Sequence, residues 1–273
     1  MLIDGVTDLH VHSHPSILPR HADDATTLAG NAQVGVTLSV LKAHEGSTAD
    51  RAVLAGPAAV GGIVLNSPVG GANADAVEVA ARLGARMVWA PTLSSATHRR
   101  AARSPELAVH QGLDFREVPL EVDGRLTEGW REVLEVIAAH DLVLSSGHLS
   151  CEESVTLFRA AHAAGVRRMV FTHPILPFLG WDASVVPDLR DLGVHLELSI
   201  LPDLLVAGRG PDSIDLAETY STELLVFGGD LGHADHPTLA EALPDWLGAL
   251  ASRIGDDRAE RILTGNGRTL LGR

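Results

Sequence analysis

Residues 8–12 read Asp8-Leu9-His10-Val11-His12, directly after a short apolar run of Leu2, Ile3 and Val6. Two histidines one residue apart on a strand point to the same face, so their imidazoles can converge on one ion. Similar chemistry recurs along the chain. Lys42-Ala43-His44, Gly147-His148, Thr172-His173-Pro174 and Gly228-Gly229-Asp230 each follow a short apolar run, and His195, Glu197 and Ser199 alternate along another. A scaffold that only needed packing would carry Val, Ile or Leu at such places. Imidazoles and carboxylates in this number suit a divalent metal, zinc first and manganese or iron next, with open positions left for water.

The elements that must position these groups follow from periodicity. Eight apolar runs, over 6–12, 36–44, 62–66, 86–92, 142–148, 168–173, 194–200 and 224–230, are predicted strands. Helical patterns lie between them. One is capped by Ser150 with Glu153 and stops at Gly165; one covers 74–83 before Gly84; one starts at Thr127 and ends near His140. Strand and helix alternating eight times predict parallel strands joined by right-handed crossovers, closed as a (β/α)8 TIM barrel. The reactive residues then share the carboxyl-terminal rim, where barrel enzymes keep their chemistry. No domain boundary interrupts residues 1–273. The longest irregular stretch, 93–126, follows the fourth strand and is expected to lie over the active-site face, with a small hairpin at Asp123-Gly124.

Composition narrows the classes. The chain has 273 residues, 45% of them apolar, enough for one large core, while aromatics at 4% leave that core to aliphatic side chains. A formal charge of −14 repels phosphate backbones and argues against nucleic acid. No apolar run approaches the ~20 residues of a membrane span, and no basic-then-apolar leader pattern opens the chain. One cysteine, Cys151, permits no internal disulfide, so a reducing, cytoplasmic setting is expected. The expected partner is a small-molecule substrate, with room left for a homo-oligomer. Twenty arginines accompany a single lysine, Lys42. Its place at a strand end fits amine chemistry that arginine cannot perform, or a plain rim cation.

The order His10-x-His12, a later lysine, His148, His173 and Asp230 resembles the metal-dependent amidohydrolase superfamily over nearly the whole chain. The closing Leu263-Thr264-Gly265-Asn266-Gly267-Arg268-Thr269-Leu270-Leu271-Gly272 is similar to that superfamily's Asn-Pro-Ala-x-Leu-Leu-Gly tail. The stretches 40–44, 146–150 and 171–174 resemble a branch of amidohydrolase-like proteins with no established substrate. By position, the resemblance implies that His10 and His12 hold a first metal. His148 and His173 complete a mononuclear site or hold a second ion. Asp230 binds metal and handles protons. The superfamily's bridging carbamylated lysine usually comes from the fourth strand. Here that strand reads Trp89-Ala90-Pro91-Thr92, and Lys42 lies on the second. Lys42 is then either carbamylated from there or an amine that orients substrate.

The expected reaction is hydrolysis of a C–N bond (amide, lactam or imine) or an ester by metal-activated water, with Asp230 and Lys42 as catalytic groups. His44, Arg99 and His233 are expected to contact substrate; for Arg99 a solvated loop is the alternative, and for His233 a surface position. Glu197 either binds metal or pairs with Lys42. Two other enzymes start from similar motifs. A phosphoesterase of the polymerase-and-histidinol-phosphatase type opens on a related strand, but eight strands and the altered Leu41-Lys42-Ala43-His44 and Asp230-Leu231-Gly232-His233 count against it. A metal-dependent decarboxylase on the same barrel is the other.

Overall fold

A computed structural model describes residues 3–208 and 212–273, so Leu2 of the leading apolar run lies outside the described residues. All eight predicted strands form. They are β1 (Val6–Val11), β2 (Val36–Leu41), β3 in two pieces (Ala59–Val60 and Gly62–Val64) and β4 (Met87–Trp89). Then come β5 (Val143–Ser145), β6 (Arg168–Phe171), β7 (Val194–Leu198) and β8 (Leu225–Phe227).

Every neighbouring pair is parallel. β1 pairs with β2, and β2 with the first piece of β3; the second piece of β3 pairs with β4, and the series continues to β8. The two sheets meet where β3 breaks at Gly61. A Cβ there would sit 2.5 Å from the Ala49 Cα, so only glycine lets the helix after β2 pass. On the opposite side the ring closes through backbone bonds just past the strand ends. Asp230 N donates to His10 O at 2.9 Å, and His12 N to Leu231 O at 3.0 Å.

Period-two alternation sorts the side chains. Val143, Val170 and Val226 join Val40, Met87 and Trp89 in the cluster that fills the ring. Their strand neighbours Leu144, Phe171 and Phe227 belong to the larger cluster shared with helix residues such as Trp130, Phe158 and Trp246. Strands buried on both faces read as near-continuous apolar runs, which is why eight of them were visible. Leu270 and Leu271 of the tail join the inner cluster, and Arg86 and Arg168 donate to the carbonyls of Leu271, Leu270 and Thr269.

The helices start and stop near the expected residues: Ala74–Arg82, Glu128–Ala139 and Cys151–Ala163, the last with the full Ser150–Glu153 capping box. The 93–126 segment is more ordered than an irregular loop. It contains a helix at Ala96–Arg100 capped by Ser95, a 3-10 turn at Pro105–His110 and the hairpin strands Glu121–Val122 and Arg125–Leu126. Among the described residues no helix is long and apolar enough to cross a membrane.

Candidate metal centre and the cavity above it

β1 supplies the first two groups, and the loop after β8 supplies the third. Nε2 of His10, Nε2 of His12 and a carboxylate oxygen of Asp230 lie within 4.8 Å of one another, the one such group among the described residues. His10 Nε2 is 2.9 Å from Asp230 Oδ1, and His12 Nε2 is 3.3 Å from the same oxygen. Local backbone makes this approach possible. Asp230 adopts φ +55°, a region where such residues are uncommon and where functional sites concentrate strain. A Cβ at Gly228 would stand 2.8 Å from the Glu197 carboxyl carbon and 2.9 Å from the His10 Cβ.

Each histidine is held from behind. His10 Nδ1 donates to Glu197 Oε1 at 3.0 Å. His12 Nδ1 donates to the backbone carbonyl of Lys42 at 3.1 Å. Both partners are acceptors, so both rings keep their proton on Nδ1 and turn an Nε2 lone pair toward Asp230. That donor set fits a divalent cation: two imidazoles and a carboxylate with their outer shell in place. Burial alone would lower the pKa of His10, but Asp230 and Glu197 turn the net shift upward. Burial would likewise raise Asp230, yet His10, His12 and His173 hold it well below the ordinary carboxylate range.

Lys42 is buried at 1% exposure, and its Nζ donates to His10 Nε2 at 2.9 Å. Burial depresses its pKa to about 8. Its side chain reaches the centre over the Trp89 ring, with Nζ 5.5 Å from the centroid. Among the described residues Glu197 forms no ion pair with Lys42: its Oε1 accepts from His10 Nδ1 and from the Ser199 hydroxyl, because the inward face of β7 places it behind His10.

His148 and His173 line the same cavity as His12, His44, His233 and Asp230, but their nitrogens stand outside the three-atom group. His148 Nδ1 is engaged 2.8 Å away by Nδ1 of His98 from the 93–126 segment. His173 packs its ring 5.7 Å from that of His10, with Nδ1 buried and unpartnered. His44 stacks on His12 with ring centroids 5.0 Å apart and bonds the Thr92 hydroxyl. Asn66 fixes that corner, donating to His44 O and Thr92 Oγ1 and accepting from the backbone of Thr92 and Ser94. Arg99 is not in the cavity. Its side chain is 35% exposed and pairs with Asp114 and the Phe115 carbonyl, because the helix that carries it turns His98 inward and Arg99 out.

Sequence reasoning missed several participants. Asp8 Oδ1 accepts from the backbone of His10 at 2.9 Å and of Gly229 at 2.8 Å, tying β1 to the end of β8. Glu106, Leu107, Val109 and His110 bring the 93–126 segment over the cavity. Arg20 enters from the loop after β1. Only position signals this one: loops after barrel strands open onto the catalytic face.

Residues 5–197 match the profile described as "Family of unknown function (DUF6282)". The chain belongs to that family. The matched segment runs from β1 to Glu197 and carries His10, His12, Lys42, His148 and His173, while Asp230 lies beyond it. A search of curated proteins finds no match. Among solved structures, the fold is similar to an L-hydantoinase (dihydropyrimidinase) from Arthrobacter aurescens, with TM-score 0.57 and 15% identity over 98% of this chain and 71% of that one. It is also similar to a prolidase complexed with N-methylphosphonate-L-proline, with TM-score 0.55 and 14% identity over 99% and 74%. An amidohydrolase from Pseudomonas aeruginosa gives TM-score 0.54 and 13% identity over 90% and 84%. This family member therefore shares the fold of these structures.

Proposed function

We propose that the protein is a metal-dependent hydrolase of amidohydrolase type, acting on a C–N or ester bond of a small molecule. The convergence of His10 Nε2, His12 Nε2 and Asp230 at the carboxyl-terminal rim, with both imidazoles fixed from behind, carries this reading. His10, His12 and Asp230 would hold a divalent ion there, zinc by the chemistry of the donor set, and when bound it would lower the pKa of water from about 15.7 to about 7.

The protein's own groups do the rest. Asp230, ionised at neutral pH, takes a proton from the attacking water and returns it to the leaving group. Lys42, buried beside His10, steadies negative charge as it develops on the substrate. His44, His148 and His233 present polar atoms to the bound molecule. Glu106 to His110 narrow the mouth and exclude bulk water.

Metal analysis of the purified full-length protein tests this reading, followed by a screen of amides, lactams and esters. Stoichiometric metal that is lost in His10→Ala and His12→Ala, together with turnover of a C–N or ester substrate, supports it. Full metal retention by both variants would sink it, and carbon dioxide release in the same screen would redirect it to decarboxylation.

A further inference from the structure

We propose that the cavity receives a substrate bearing a small oxyanion group, a carboxylate or phosphate, and that Arg20 is the residue that binds it. This rests on the hydrolase reading and deepens it by naming a substrate class.

Arg20 is 7% exposed, yet it lines the cavity beside His12 and Asp230. Its Nε donates to Ser16 Oγ at 3.3 Å. Among the described residues no carboxylate forms an ion pair with its guanidinium. Glu45 and Asp230 act on it only at longer range, and Glu45 Oε1 is taken by the backbone N–H of Ile17. Nη2 faces His12 Nδ1 at 3.2 Å. With the His12 proton committed to the Lys42 carbonyl, that contact sets donor against donor. A buried guanidinium without an acid beside it is costly, and an anion from outside relieves that cost.

The surroundings suit the same ligand. The backbones of Arg20 and His233 form an antiparallel bridge. His233 Nδ1 accepts from the backbone N–H of Asp235, so its Nε2 carries a proton to donate. His236, its ring 5.4 Å from that of His233, has a buried Nδ1 with no partner. Glu106 and Asp230 are the acids among the cavity's described lining, against one arginine and seven histidines. A planar guanidinium fork matches a carboxylate or phosphate edge. One imidazole ring, that of His12, separates Arg20 Nη2 from Asp230, so the anionic group lies next to the bond being cleaved.

The experiment is calorimetric binding of benzoate, inorganic phosphate and neutral benzamide to the zinc-loaded full-length protein. It compares wild type, Arg20→Met, Arg20→Lys and Arg99→Gln. Wild type and Arg99→Gln are expected to prefer an anion over benzamide at least tenfold, and the tighter of the two anions names the source. Arg20→Met loses that preference. Arg20→Lys keeps the charge but loses the fork, so its anion affinity falls severalfold. Zinc content and far-UV circular dichroism of each sample report folding, and Arg20→Lys serves if Arg20→Met does not fold. Equal anion affinity in wild type and the Arg20 variants overturns the proposal, as does equal binding of benzoate and benzamide, or no anion binding by loaded wild type. Zinc content keeps the two readings apart. A wild type that holds no metal defeats the hydrolase, whereas full zinc in Arg20→Met with the preference lost sustains both.

Discussion

His10 and Glu197, 187 residues apart in the chain, share a 3.0 Å hydrogen bond with both side chains fully buried. The bond fixes which nitrogen of His10 faces Asp230. Its loss therefore acts on metal affinity before it acts on the fold. Glu197→Gln and Glu197→Ala are expected to weaken metal binding about 10–100-fold, Ala more than Gln. Competition with a chromogenic chelator measures this. Unchanged affinity in both variants would show that Glu197 only fills space.

Lys42 makes a second, separable prediction. Lys42→Met removes the one amine at the centre while leaving the three-atom group intact. Metal content should stay near that of wild type, while kcat/KM on the substrate found by screening falls about 10²–10³-fold. Lys42→Arg should not restore it, because a planar fork does not fit the place of a compact ammonium over Trp89.

Gly228→Ala tests crowding. The added methyl would press on the Glu197 carboxyl carbon and the His10 Cβ, both within 3 Å. Overpacking of this kind costs about 1–3 kcal/mol. Urea denaturation should show that loss, and metal affinity should fall with it, since the displaced atoms are those that aim His10.

Asp203 supplies a pH signature away from the centre. Its carboxylate accepts from Trp246 Nε1 and from the Ser213 backbone, both at 2.7 Å, and burial raises its pKa to about 6. The folded state then binds the proton more tightly than the unfolded state, whose pKa is 3.8. Between pH ~4 and ~6 the native form holds more protons, so this contribution is full below the unfolded value and lost as pH rises through the folded one. The shift is worth about 3 kcal/mol. Denaturation midpoints across that window should fall with rising pH in wild type and fall less in Asp203→Asn. Parallel curves would exclude Asp203 as the source.

The strands were legible because each is a short apolar run between helices that carry their own signals, as at Ser150 and Glu153. The rim histidines were legible because strand ends in a barrel share one face. Partnerships across the ring were not. Nothing local tells that Asp8 bonds Gly229, or that Glu197 lies behind His10, because both depend on inter-strand register. Arg20 sits in an aperiodic stretch between Pro15 and His21, where type and spacing carry no signal. Arg99 and His98 are adjacent on one turn, and sequence could not say which of them faces in.

The backbone bonds from Asp230 to His10 and from His12 to Leu231 are the last link in the ring, joining segments some 220 residues apart in sequence, as the Asp8–Gly229 bond does. His10, His12 and Asp230 sit on the two sides of that link. A cation held by them is therefore a clasp across the barrel's own seam, and its binding free energy adds to closure. Stripping the ion should loosen this seam first, with amide exchange quickening at residues 8–12 and 228–231 while the β5–β6 side stays protected. Loading and final folding then become one step, and this long-range seam is also the conditional part of the ring.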